Sequence, residues 1–243
     1  MRIKLINPNT TWSMTDKMAA AARAVAMPGT EIVAVSPQGG PASIEGHYDE
    51  AVATIGLLEE IRSGEAQGFD GYIIACFGDP GLMAARELAN GPVVGIAEAA
   101  MHMASLIAPG FSVVTTLART KGIAEHLAER YGMARFCRKV RATDIAVLEL
   151  EDPASNAGTR IIEECRAALR EDESGAIVLG CAGMADLAAE ISRAIGAPVV
   201  EGVTAAVTLV ESLVRLNLKT SKRGELAPPL PKSYSGGLAY LSP

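Results

Sequence analysis

Two of the four cysteines, Cys76 and Cys181, sit in stretches that echo each other, Tyr72-Ile-Ile-Ala-Cys-Phe-Gly-Asp79 and Ala176-Ile-Val-Leu-Gly-Cys-Ala-Gly183. In each, an apolar run rich in Ile and Val reads as a buried strand that stops at the thiol, and the residues after it read as a helix. Pro92 follows the first cysteine by 16 residues and Pro198 the second by 17, and an Ala-Ala pair lies seven residues beyond each proline. One cysteine in an apolar strand is ordinarily a small packing residue. Two at matched strand ends in matched halves point to chemistry. The chemistry open to them is proton transfer, since a thiolate accepts a proton and a thiol donates one. A free thiol with a pKa of about 8.5 must be lowered to act as a base near neutrality. The predicted helix after each cysteine and its Gly-rich backbone offer N–H groups for that purpose.

The elements that must hold this pair alternate along the chain. Ile3 to Ile6 reads as a strand ended by the turn Asn7-Pro-Asn-Thr-Thr11, and a helix follows through Met14 to Val25. Glu31 to Val35 is the next strand, and Ser36 to Gly46 is too rich in Gly and Pro for regular structure. Then come a helix from Tyr48 to Arg62, the Cys76 strand, a helix, a short strand at Pro92 to Ile96 and a helix at Glu98 to Leu106. The second half repeats the plan with a strand from Phe111 to Thr116, helices near Thr120 to Arg130 and Ala157 to Arg170, and the Cys181 strand. Such alternation predicts an α/β fold of two similar, doubly wound parallel-sheet domains with the site between them. The expected division is 1–106, together with part of the C-terminal segment at about 205–243, as the first half, and 107–204 as the second. Strand ends carrying Asn7, Asn9, Thr115 and Thr116 are expected to meet there. Cys165, on a helix with a polar face, reads as a packing residue. From 219 onward no regular structure is expected, with Tyr234, Leu238 and Tyr240 as anchors on the chain's own core or on a neighbour.

Composition excludes several classes. The chain is 49% apolar and 21% charged with net charge −6 and no basic run, which argues against nucleic acid. Pro, Gly or charge interrupts every apolar run short of the roughly 20 residues of a membrane span. The sequence opens directly on a strand pattern without a signal peptide, so a cytoplasmic protein with free thiols is expected. No Cys-x-x-Cys pair occurs and the three histidines are scattered, so no metal site is expected. No Gly-x-Gly-x-x-Gly follows the first strand and no Walker lysine is present, which argues against a nucleotide cofactor.

Five motifs in order resemble the aspartate/glutamate/hydantoin racemase superfamily over roughly residues 1 to 220. They are Asn7-Pro-Asn-Thr10, Ser43-Ile-Glu-Gly46, Cys76-Phe-Gly-Asp-Pro80, Thr115-Thr116 and Gly180-Cys-Ala-Gly183. Within it the chain is most similar to the hydantoin and allantoin racemases. The resemblance implies Cys76 and Cys181 as the catalytic acid/base pair, each serving one enantiomer of a five-membered cyclic ureide. Its C5 hydrogen would be removed from one face and replaced from the other. Asn9 would contact the ring, Ser43 and Ile44 would close over it, and Thr115 and Thr116 would donate from the second half. The backbone N–H groups of Phe77, Gly78, Ala182 and Gly183 would hydrogen-bond the ring carbonyls. Glu45 and Asp79 are carboxylates that would orient a loop or tune a thiol. No metal or pyridoxal cofactor is implied, because the ring carbonyl beside C5 takes the charge. The family's habit implies a homo-oligomer, and allantoin as substrate implies a place in purine and ureide catabolism.

Rival readings remain open in the sequence. A 5-substituted hydantoin is the second substrate. An aspartate or glutamate racemase would also use two cysteines, but no obvious cation lies near the strand ends to hold a free carboxylate. Relatives that decarboxylate keep one of the two thiols, and this sequence keeps both. A non-catalytic small-molecule binder would have no use for matched thiols.

Overall fold

The computed structural model describes residues 1–152 and 154–243. Strands β1 (Arg2–Ile6), β2 (Glu31–Val35), β3 (Gly71–Ile74) and β4 (Val93–Gly95) form one parallel sheet in the order β2-β1-β3-β4. Strands β5 (Phe111–Thr115), β6 (Cys137–Ala142), β7 (Ala176–Leu179) and β8 (Val199–Val200) form a second in the order β6-β5-β7-β8. The two orders are the same order, so β5 corresponds to β1 and β7 to β3. The expectation of two similar α/β halves is met.

Among the described residues eight helices cover the sheets: α1 (Trp12–Val25), α2 (His47–Ala66), α3 (Leu82–Leu88), α4 (Ile96–Ile107), α5 (Lys121–Arg130), α6 (Ala157–Glu171), α7 (Ala188–Ile195) and α8 (Gly202–Arg215). The period-two pattern of the strands divides the core. Ile3, Leu5 and Ile73 face one way and join Val113, Val178 and the small residues of α4 and α8 in a shared cluster between the sheets. Ile6, Tyr72 and Ile74 face the other way, toward Leu57 and Ile61 of α2 and Leu82 of α3. Val114, Ile177 and Leu179 do the same against Ile161 and Cys165 of α6. Each fully buried Ile or Leu contributes about 1.5–3 kcal/mol, and both faces of the central strands are packed, as in parallel sheets covered by helices on both sides.

Two elements depart from expectation, and the tail does so only in its short turns. β6 was unforeseen, because Cys-Arg-Lys-Val-Arg-Ala is too charged to read as a strand. It lies at the edge of its sheet, and buried Arg141 is tied to Asp172 through 2.6 Å contacts, to Glu164 at 2.9 Å and to Glu171 at 2.7 Å. α2 runs on past Arg62 to Ala66, through Gly64, where a Cβ would lie 2.5 Å from the Tyr72 ring. The tail beyond 219 has short 3-10 turns at Gly224–Leu226 and Gly236–Leu241 and is pinned to its own chain. The Tyr240 hydroxyl donates to Glu59, and Arg62 donates to the Tyr240 carbonyl at 3.0 Å.

Candidate active site

In an order of the 2-1-3-4 type, the connections leave β1 and β3 toward opposite sides, and a crevice opens at their carboxyl ends where ligands bind. In the first sheet that crevice holds the turn after β1, with Asn7 and Asn9, and the loop after β3, with Cys76. In the second it holds Thr115 and Thr116 after β5, and Cys181 after β7. The two crevices face each other across one pocket that both thiols line.

Among the residues expected from sequence, Asn9, Ile44, Cys76, Phe77, Gly78, Thr115, Thr116, Cys181 and Ala182 line this pocket. Asn7 is buried beneath it and positions its neighbour: Asn7 Nδ2 donates to Asn9 Oδ1 and to Thr15 Oγ1, both at 2.9 Å. With the Thr11 N–H also donating to Asn9 Oδ1 at 2.9 Å, the amide is held with Nδ2 left as a donor. Among the described residues its one hydrogen-bond contact is a weak one to Met14 Sδ at 3.7 Å. Thr115 spends its hydroxyl on the Gly180 carbonyl at 3.1 Å, fastening the end of β5 to the loop after β7. The Thr116 hydroxyl finds no partner among the described residues and lines the pocket.

Ser43 and Gly183 stand outside the lining. The loop of Ser43 is fastened by Thr10 N–H to the Pro41 carbonyl at 3.0 Å and by Thr11 Oγ1 to the Ala42 carbonyl at 2.7 Å. Ile44 and Gly46 are thereby the residues turned inward. Gly183 packs under the thiol loop, where a Cβ would lie 3.1 Å from Leu150 Cδ1 and 3.3 Å from Met14 Cε. Glu45 latches this loop to the second half by accepting the Val147 N–H at 3.1 Å.

Backbone N–H groups reach both thiols as expected, but the helix starts do not. α3 begins only at Leu82, and Cys181 is followed by a 3-10 turn before α7 starts at Ala188, so no α-helix starts at either sulfur. Burial pushes Cys76 well above the ordinary thiol range, opposed by the Gly78 N–H and reinforced by Glu50. Burial likewise pushes Cys181 up to about 11, opposed by the Gly183 N–H. Both residues keep some accessible surface and line the pocket. The Gly78 and Gly183 amides are therefore directed at sulfur. Phe77 and Ala182 N–H have no backbone acceptor among the described residues and remain for a ligand.

Asp79 turns away from the pocket at φ 43° and holds the thiol loop to the rest of the protein. Its carboxylate accepts the N–H groups of Ala97 at 3.1 Å and Glu98 at 2.9 Å, capping α4, and the Tyr131 hydroxyl at 2.7 Å. Burial pushes it up to about 7 against those three bonds. Two residues near the pocket were missed in the sequence. Glu50, in the first turn of α2, lines it. Arg119 lies at its rim, where a Cβ on Gly46 would come within 3.0 Å of its guanidinium, and is outside the lining, which contains no Lys or Arg. Among the described residues no three His, Cys, Asp or Glu side chains gather as metal ligands, and no helix is long and apolar enough to cross a membrane.

The Asp/Glu/Hydantoin racemase family model matches residues 3–210. The chain belongs to that family. As a member it is an isomerase of the racemase type. It is 50% identical over 236 residues to a hydantoin racemase of Rhizobium meliloti, covering 97% of this chain and 98% of that one. It is 48% identical over 240 residues to a hydantoin racemase of Pseudomonas sp. (strain NS671), covering 98% and 96%. The solved allantoin racemase from Klebsiella pneumoniae superposes with a TM-score of 0.98 at 58% identity, over 100% of this chain and 99% of that one.

Proposed function

We propose that this racemase interconverts the enantiomers of allantoin by proton transfer at ring C5 between Cys76 and Cys181, in ureide breakdown and without a metal or organic cofactor. The observation that carries the reading is the pair of thiols at equivalent strand ends of opposed sheets, lining one pocket. A substrate carbon between them is reachable from both faces. One sulfur, as thiolate, takes the C5 proton. The electron pair moves into the adjacent ring carbonyl, and the other sulfur, as thiol, returns a proton to the opposite face. The enzyme ends with the two protonation states exchanged, and the reverse reaction uses them in that order.

Free donors support the charge that develops. Asn9 Nδ2 and the Phe77 and Ala182 N–H groups are available to ring carbonyl oxygens, and such preorganised donors are worth about 10²–10³ in rate each. The raised thiol pKa values cut two ways: thiolate is scarce in the empty site, but each thiolate formed is a stronger base. A lining that holds a carboxylate and no cation favours a neutral ureide over an amino acid with a free carboxylate. A 5-substituted hydantoin is the second reading, favoured by the hydantoin racemases at 48–50% identity.

The test is circular dichroism of enantiopure allantoin and, in parallel, of 5-benzylhydantoin, with the purified protein and no added metal. Faster decay of the allantoin signal to zero supports the first reading. Faster decay of benzylhydantoin makes the second the better one, and an unchanged signal for both overturns the assignment.

A further inference from the structure

We propose that Glu50 determines specificity by accepting a hydrogen bond from the N–H-bearing ureido substituent at C5 of the substrate. The inference rests on the cyclic-ureide reading of the pocket and goes beyond it by naming the group that distinguishes a ureido arm from an alkyl or aryl one.

Four observations carry it. Glu50 lines the pocket together with both thiols. Its carboxylate lies directly over Gly78, where a Cβ would meet Oε1 at 2.2 Å, so the glycine after Phe77 is what admits the carboxylate to this wall. It is underpaired: with its side chain only 18% exposed, its one charged partner among the described residues is His47 at 3.5 Å, itself 78% exposed. A carboxylate is an acceptor only, with room for about four hydrogen bonds. Lastly, the other pocket groups left free of the backbone are donors or hydroxyls: Asn9 Nδ2, the Phe77 and Ala182 N–H groups and the Thr116 hydroxyl. These suit carbonyl oxygens and leave the N–H groups of the substrate without a charged acceptor.

The position of Glu50 selects the substituent rather than the ring. Ring C5 must lie between the sulfurs, with its carbonyls at the main chain of the thiol loops. Glu50 reaches this wall from the start of α2, beside exposed His47 and Tyr48, with its carboxylate over Gly78 and away from the free Phe77 and Ala182 N–H groups left for the ring carbonyls. An arm leaving C5 toward that wall meets the carboxylate there. Allantoin brings N–H donors on that arm, and an alkyl or aryl hydantoin brings none and desolvates the carboxylate without replacement. A donor seated on Glu50 also screens the negative charge that opposes thiolate formation at Cys76.

The experiment compares Glu50→Gln and Glu50→Ala with the parent on allantoin and on 5-benzylhydantoin, with far-ultraviolet circular dichroism confirming the fold. Loss of a hydrogen bond to a charged group predicts a fall in allantoin kcat/KM of about 10- to 150-fold for Glu50→Ala, mostly in KM, with a smaller fall for Glu50→Gln. Benzylhydantoin turnover should change little or improve. A parallel loss on both substrates, or no loss on either, overturns the assignment. Allantoin left untouched by the parent protein would instead refute the functional reading. Calorimetric binding of allantoin to the parent and to Glu50→Gln then reads the assignment without turnover, and equal affinities overturn it.

Discussion

Burial sets the ionisation of Cys181, and that can be read from its reactivity as pH is raised. With the thiol pushed up to about 11, thiolate makes up only about 10⁻³ of the population at pH 8, against about a quarter for a free thiol of pKa about 8.5. The roughly 240-fold deficit is partly offset by the greater nucleophilicity of the more basic thiolate. At a Brønsted slope of about 0.45 the difference between a pKa of about 11 and one of about 8.5 returns about 13-fold, leaving a reaction about 20-fold slower than that of a free thiol. Steric access affects the absolute rate, but not its dependence on pH. Between pH 7 and 10 the thiolate fraction should grow about 900-fold for Cys181, where an ordinary thiol would gain about 30-fold and level off. The assay is reaction with an aromatic disulfide at a series of pH values, with labelled Cys181 quantified by peptide mass spectrometry. A slope of one per pH unit up to pH 10 is expected. A plateau between pH 8 and 9 would refute the reasoning, because it would mean that backbone N–H groups outweigh desolvation.

Three further perturbations test the framework around the pair. Tyr131→Phe removes the 2.7 Å hydrogen bond to buried Asp79 and should cost about 1.5–3 kcal/mol in urea unfolding. The folded Asp79 pKa is raised to about 7, so charging it costs stability as pH rises from about 4 through 7, and the loss on mutation should be larger at pH 8.5 than at 5.5. Arg141→Met leaves Asp172, whose side chain is 4% exposed, without its main partner and should cost about 3 kcal/mol by the same method. The Asp172 carboxyl is held below its ordinary value by Arg141, so that stabilisation is present above about pH 4 and is lost as pH falls. The acid-side weakening of the parent should therefore shrink in the variant. Gly180→Ala would put a Cβ 2.7 Å from Thr115 Cβ and 2.9 Å from its Cα, forcing apart the strand ends beside Cys181, and kcat/KM should fall about a hundredfold.

The parts of the molecule that repeat were the parts legible in the sequence. Matched apolar runs ending in Cys76 and Cys181 gave both the parallel sheets and the opposed thiols, because strand topology alone brings such ends together. Asn9, Thr115 and Thr116 followed because they end the first strand of each half. Glu50 was hidden for the opposite reason: in Tyr48-Asp-Glu50 it looks like an ordinary solvated first turn of a helix, and only the empty space over Gly78 reveals where its carboxylate goes. β6 was hidden by its charges, which make sense only once Arg141 has met Asp172, 31 residues later. The helix part of the expected activation failed on a detail of a few residues, since a turn separates each sulfur from the next helix, whereas the Gly-rich backbone does supply the Gly78 and Gly183 N–H groups to the sulfurs.

The central claim is that the two thiols act on opposite faces of one carbon. Its most direct test is NMR of C5 deuteration in D2O, with each allantoin enantiomer supplied separately to the parent protein, Cys76→Ser and Cys181→Ser. Racemisation with deuterium at C5 is expected in the parent, and no net racemisation in either variant. Each variant should exchange the C5 hydrogen of one enantiomer at most, and of opposite enantiomers in the two cases. Full racemisation by either single-thiol variant would contradict it.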